Sequence, residues 1–317
     1  MKPTSYSYNH FEKRRHAIIP KIILAVCIIG FVTFFSFFIY NFISQKNTKS
    51  IKTLYAQWAA YDYSAVYKTS AQILREKPLN NTAHTLRGYA CFYLAVSQTD
   101  TTKARNYLDE SINNIRIAIY NAKKSLKPQL YYMLGKAYFY KDTTSSYHYY
   151  ADLAVTYLQK SKDAGYVADD IPEYLGLSYA ALGMTMKSIA SFTEALLVRE
   201  SDSLLMSIAE QYYKADQLSA AKQYLYRIIT SSTDEELVLK SHLLLGQIYI
   251  AEKDYISAGK EFETILEKNK NSADAYYELG VIYEKQGDLI KARSEWRTAL
   301  RIQPNHADAL QKMTDYK

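Results

Sequence analysis

Cysteine is nearly absent from this chain: 317 residues carry two, Cys27 inside an apolar run and Cys91 in a stretch with helical spacing. Two thiols so placed offer neither a disulfide framework nor a zinc site. Turn-formers are scarce too, with 10 glycines and 6 prolines in a chain that is 48% hydrophobic. That shortage disfavours a protein of many short strands and suits long helices joined by short turns. No Pro/Gly/Ser-rich linker divides the sequence into globular halves, so an elongated architecture is expected.

Catalytic signatures are missing as well. No two glycines stand two residues apart, which excludes a dinucleotide-binding fingerprint, and there is no glycine-rich phosphate loop ending in Gly-Lys-Ser/Thr. His10, His16, His84, His148, His242 and His306 are scattered without metal spacing, and His242 falls on an apolar stripe where a packed core histidine is expected. Asp169-Asp170 and Glu235-Glu236 lie at expected helix starts, where the helix dipole favours negative charge. Ser, His and Asp occur without a nucleophile elbow. The expectation is therefore no catalytic residue, metal, cofactor or small-molecule substrate, and no enzyme.

The formal charge of +7 is not spread over the chain. Residues 1–52 contain Lys2, Lys13, Arg14, Arg15, Lys21, Lys46, Lys49 and Lys52 against Glu12 alone, and the remainder carries equal numbers of bases and acids. A nucleic-acid binder needs a positive field from its folded body, so no such partner is expected.

Charge is absent altogether from Ile22 to Gln45, where fifteen positions are Ile, Leu, Val or Phe. At their usual insertion energies these residues contribute about −5 to −9 kcal/mol. As a helix, 22–43 is about 33 Å long, enough for a hydrocarbon core of about 30 Å. The run is too long for a cleaved signal peptide, and Tyr40–Gln45 lacks a small-x-small cleavage site. Bulky Val26 before Cys27 likewise disfavours a lipidation box. The basic flank of Lys13, Arg14, Arg15 and Lys21 predicts a cytoplasmic segment 1–21, a transmembrane helix 22–43 and an extracytoplasmic remainder. The localisation expected is the inner membrane, crossed once. A linker over 44–50 follows the span.

What fills the remainder is a repeat. Tyr276, Leu279, Gly280 and Tyr283 stand at i, i+3, i+4 and i+7, one stripe of a first helix. Ala292, Trp296 and Ala299 form a stripe on a second helix, Gly287-Asp288 makes the turn between, and Pro304 ends the unit. Stepping back about 34 residues finds His242, Leu245, Gly246, Tyr249, Ala258, Phe262 and Ile265. Upstream come Ile208, Ala209, Tyr212, Ala221, Leu225 and Ile228, then Leu175, Gly176, Tyr179, Gly183, Ser188, Phe192 and Ala195. Looser units follow at Leu134-Gly135-Tyr138 with a late second helix (Ala154, Leu158, Ser161), at Gly88 with Ala104, Leu108 and Ser111, and at Val66, Ile73 and Pro78.

This spacing resembles the tetratricopeptide repeat (TPR) family. The resemblance implies an all-α, right-handed TPR α-solenoid over 51–305, of about seven helix-turn-helix units, with 306–317 as a capping helix. It also implies that first helices line a concave face. The positions carried over include Glu173, Leu243, Ile250, Val281 and Glu284, and those expected to bind a partner are Tyr89 and Phe92; Tyr132, Lys136 and Phe139; Leu177; Met206, Glu210 and Tyr213; Gln247; and Tyr277. Relatives that clamp acidic chaperone tails use Lys, Asn and Arg there, and only Lys136 remains of such a set. An aromatic groove suits an extended or helical peptide with apolar anchors. The function expected is a membrane-anchored scaffold or adaptor that binds proteins or peptides and assembles or escorts bacterial envelope proteins. The alternative is a cytosol-facing docking receptor for targeting peptides.

Overall fold

A computed structural model describes residues 29–39, 50–145 and 147–316. The segment 1–21, Cys27, both ends of the expected span and most of the 44–50 linker lie outside the described residues. Among the described residues there is no strand. Residues 29–39 form helix α1. It is followed by α2 (Ile51–Ala59), α3 (Tyr63–Glu76), α4 (Asn81–Val96), α5 (Thr101–Asn121), α6 (Lys127–Thr143), α7 (Ala151–Asp163), α8 (Ile171–Ala181) and α9 (Thr185–Leu196). Then come α10 (Asp202–Lys214), α11 (Leu218–Ser231), α12 (Glu235–Ala251), α13 (Tyr255–Lys268), α14 (Ala273–Lys285), α15 (Leu289–Ile302) and α16 (Ala307–Asp315). In chain order these make seven helix pairs, α2–α3 to α14–α15, with α16 last. The chain divides into two compact units, Met1–Arg87 and Gly88–Lys317, the division falling within α4.

In the first unit, α1 exposes Ile29, Phe31, Val32, Phe34, Phe35, Phe37, Phe38 and Ile39. Among the described residues no helix is long and apolar enough to cross a membrane, and α1 as described reaches only about 16 Å. Leu54, Val66 and Ile73 are buried in α2 and α3. Asp62 starts α3 by accepting a 2.8 Å bond from the Ala65 amide.

The second unit shows why the repeat needs its small residues. Gly176, Gly246 and Gly280 on the first helices lie under Phe192, Phe262 and Trp296 of the second helices, and a Cβ at any of them would collide with the ring. Where the small position of the second helix is serine, its hydroxyl ties the pair together. Ser111 Oγ donates to the Gly88 carbonyl at 2.7 Å, Ser188 Oγ to that of Gly176 at 2.8 Å, and Ser161 Oγ to that of Pro128 at 2.8 Å. Each hydroxyl satisfies an acceptor that close packing would otherwise desolvate.

The turns repeat as well. Gly183 (φ 67°), Asp216 (φ 57°), Lys253 (φ 63°) and Gly287 (φ 85°) all adopt left-handed backbone after a first helix. At each turn the next amide reaches back to the carbonyl five residues earlier, as from Asp254 to Tyr249 and from Asp288 to Tyr283, both 2.9 Å. The late second helix of the α6–α7 unit corresponds to residues 144–150 between the two helices. At the far end, α16 covers the last pair: Ala309 packs with Ala273 and Ala299, and Lys312 Nζ binds both oxygens of Glu284 at 2.7 Å.

Candidate functional site

The eleven residues expected to bind a partner all lie in the second unit, on the first helices α4, α6, α8, α10, α12 and α14. They fall into two groups with different surroundings.

The first group closes on itself. Tyr89 and Phe92 are only 6% and 3% exposed, so their rings pack inside the unit instead of presenting a face to a partner. Lys136 Nζ lies 5.7 Å from the centre of the Phe92 ring, 5.0 Å from that of Tyr132 and 4.9 Å from that of Tyr174. The same ammonium donates to Asp170 Oδ2 at 2.8 Å and to Tyr132 Oη at 3.1 Å, while Tyr132 Oη donates to Asp170 at 2.8 Å. Phe139 stands edge-on to Tyr174 at 4.8 Å, and Tyr140 meets Phe92 at 5.4 Å and the Tyr174 hydroxyl at 3.2 Å. An ammonium enclosed by three rings and paired with a carboxylate has its attractions satisfied from within the chain. Burial, reinforced by the Asp170 charge, pushes the Tyr132 hydroxyl far above the usual phenol range, and burial does the same to Tyr174. Leu177, next along, packs against the core of Phe192, Leu204 and Ile208.

The second group stays open on one side. Met206 and Tyr213 on α10 are half-buried against a core of Ala209, Leu225, Leu244 and Ile248. Leu243 and Ile250 on α12 do the same against Phe262 and Ile282, and Tyr277 on α14 against Ala273 and Ala299. Glu210 is exposed. Gln247 Nε2 donates to Glu278 Oε1 at 2.6 Å, linking α12 to α14. Burial is the main cause that raises the Glu278 carboxyl above the usual carboxylate range. Burial and the Glu278 charge raise the Tyr213 hydroxyl, and the same two causes push Tyr277 up to about 12. Tyr277 lies 5.1 Å from the His306 ring, whose Nε2 is 3.1 Å from Asp274 Oδ1. The Ala309 amide donates to His306 Nδ1 at 3.2 Å, which caps α16.

Sequence reasoning missed two carboxylates. Asp170 reads from sequence as a dipole partner at a helix start, yet it makes no capping bond and serves Tyr132 and Lys136 instead. Glu278 sits beside Tyr277, off the stripe that defines the repeat, and only its link to the preceding first helix reveals it. His242, expected as a packed core residue, is half-buried and meets Glu261 Oε2 at 2.6 Å. Among the described residues no group of His, Cys, Asp and Glu is placed to hold a metal ion.

Comparison with known proteins agrees with this architecture. The family described as tetratricopeptide repeat protein 21 C-terminal ARM domain matches residues 175–311. The C-terminal part of a TPR repeat-containing protein from Cytophaga hutchinsonii superposes with a TM-score of 0.58 at 14% identity, over 83% of this chain and 98% of that one. YrrB, a TPR protein described as having an unusual peptide-binding site, gives a TM-score of 0.47 at 21% identity, over 63% of this chain and 97% of that one. No curated protein matches the sequence. The class defined by the helices and their spacing is an all-α, TPR-like repeat fold.

Proposed function

We propose that this chain is a membrane-tethered scaffold that binds segments of other proteins on the face formed by α10, α12 and α14. The observation that carries the reading is the run of half-buried Met206, Tyr213, Leu243, Ile250 and Tyr277 on three successive first helices. Each packs on a core and keeps part of its surface exposed, where an incoming side chain gains apolar contact. The Tyr hydroxyls and the Gln247 amide add hydrogen-bonding groups for a peptide backbone. In this reading the chain binds and does not catalyse. The tether is the span 22–43, whose described part α1 turns large apolar side chains outward, a surface that lipid accommodates and water disfavours. The basic flank before it argues for helices outside the cytoplasm, assembling or escorting proteins of a bacterial envelope.

A photo-reactive amino acid at Tyr213 of the full-length protein in its native membrane tests the binding face. It is expected to capture a discrete partner several-fold more strongly than the same group at Lys222 on α11. Equal labelling at both positions would remove the reading. An extracytoplasmic reporter fused to the carboxy terminus tests the orientation: activity is expected, and a silent reporter favours the cytosol-facing docking receptor.

A further inference from the structure

Among the described residues, Glu278 is a buried carboxylate on this face that lacks a counter-charge. Its side chain belongs to a residue only 8% exposed, and its one hydrogen bond among the described residues comes from the neutral amide of Gln247. No Lys, Arg or His forms an ion pair with it among the described residues, whereas Glu284 on the same helix holds Lys312 and Asp170 holds Lys136. The acids Asp274 and Asp308 act on it with the same sign, and His306 is the opposing group. Its Oε2 accepts no bond from a described residue, and it is not sealed from solvent. A carboxylate held this way loses hydration without gaining a counter-charge.

We infer that the α10–α14 face takes a peptide segment carrying a lysine or arginine, whose cationic head pairs with Glu278 while a neighbouring apolar residue lies against Met206 and Leu243. The inference rests on the binding face proposed above and adds the chemistry of its partner. A guanidinium or ammonium at Oε2 supplies the missing counter-charge in a site where water screens poorly. Tyr213 and Tyr277, whose hydroxyls both feel the Glu278 charge, are the aromatic side chains within reach of its field. The first group already shows this solution built internally, with Lys136 held by rings and Asp170. The α10–α14 face has the rings and the carboxylate, and the cation is left for the partner to bring.

The test is selection of a random octapeptide library, displayed on phage, against the full-length protein in detergent, in parallel with Glu278→Gln. Gln at 278 keeps an oxygen for the Gln247 bond and removes only the charge. Recovered peptides are expected to be enriched about tenfold in Lys or Arg at one position next to an apolar residue, with the basic preference lost in Glu278→Gln and the apolar preference retained. Peptides recovered without a basic preference, or with one that Glu278→Gln leaves intact, overturn the inference while the binding face stands. No enrichment of any peptide removes the binding face and the inference with it.

Discussion

The stability of the second unit depends on individual side chains whose surroundings oppose their ordinary chemistry, and Glu278 is the clearest. Burial raises its carboxyl, so between the usual carboxylate value and its folded value the folded chain holds a proton that the unfolded chain has released. Stability from this group is therefore full in acid and declines as pH rises through that window. Above the usual carboxylate value its burial acts against folding. Glu278→Gln is expected to stabilise the protein by about 1–2 kcal/mol at pH 7, the usual penalty for an imperfectly satisfied buried polar group, with the advantage disappearing below pH 4. Thermal unfolding of both proteins across pH 3 to 8 checks it, and a gap that stays constant with pH would show that the charge is not responsible. Sequence hid this residue because Glu278 lies between Tyr277 and Leu279, where the repeat pattern makes no demand.

At the scale of the helix pair, the turn and the crossing carry the structure. The left-handed position that follows a first helix is glycine at 183 and 287 but aspartate at 216 and lysine at 253. A left-handed backbone costs an ordinary L-residue roughly 1–2 kcal/mol, and glycine gives back roughly 0.5–1 kcal/mol in unfolded-state entropy. Lys253→Gly is thus expected to stabilise the α12–α13 hairpin by about 0.5–1 kcal/mol, read as a raised unfolding midpoint. An unchanged or lowered midpoint would mean that the Lys253 side chain contributes more than its backbone loses. This equivalence of 183, 216, 253 and 287 was only half legible, because glycine announces the conformation and Asp or Lys does not. The crossing glycines were fully legible, since Gly246 and Gly280 recur at the repeat spacing together with the rings that cover them, Phe262 and Trp296.

Over the whole of the second unit, each helix pair packs mainly on its neighbours in sequence, with clusters such as Ala209–Leu225–Leu245 and Phe262–Ile265–Ala275 each joining one pair to the next. Stability in such an arrangement is a sum of local terms and interfaces, so damage spreads from where it is made. Deleting α16 uncovers Ala273, Ala299 and Tyr277 and removes the Lys312–Glu284 pair. Hydrogen exchange is expected to quicken by tenfold or more in α14 and α15 while α6 to α9 keep their protection. An equal loss throughout the unit would show that it folds as one cooperative block.

The sequence by itself determined the helical class, the seven pairs, the terminal helix and the crossing residues, because each is encoded within one repeat length by side chains that meet locally. Only the tertiary structure decided which expected groove residues remain open. Phe92 and Lys136 are spent on an internal aromatic box, while Gln247 bonds to Glu278 and the Tyr213 and Tyr277 hydroxyls feel its charge. Those choices depend on how neighbouring first helices are offset and curved against each other, and a stripe repeated within each helix carries no record of that offset.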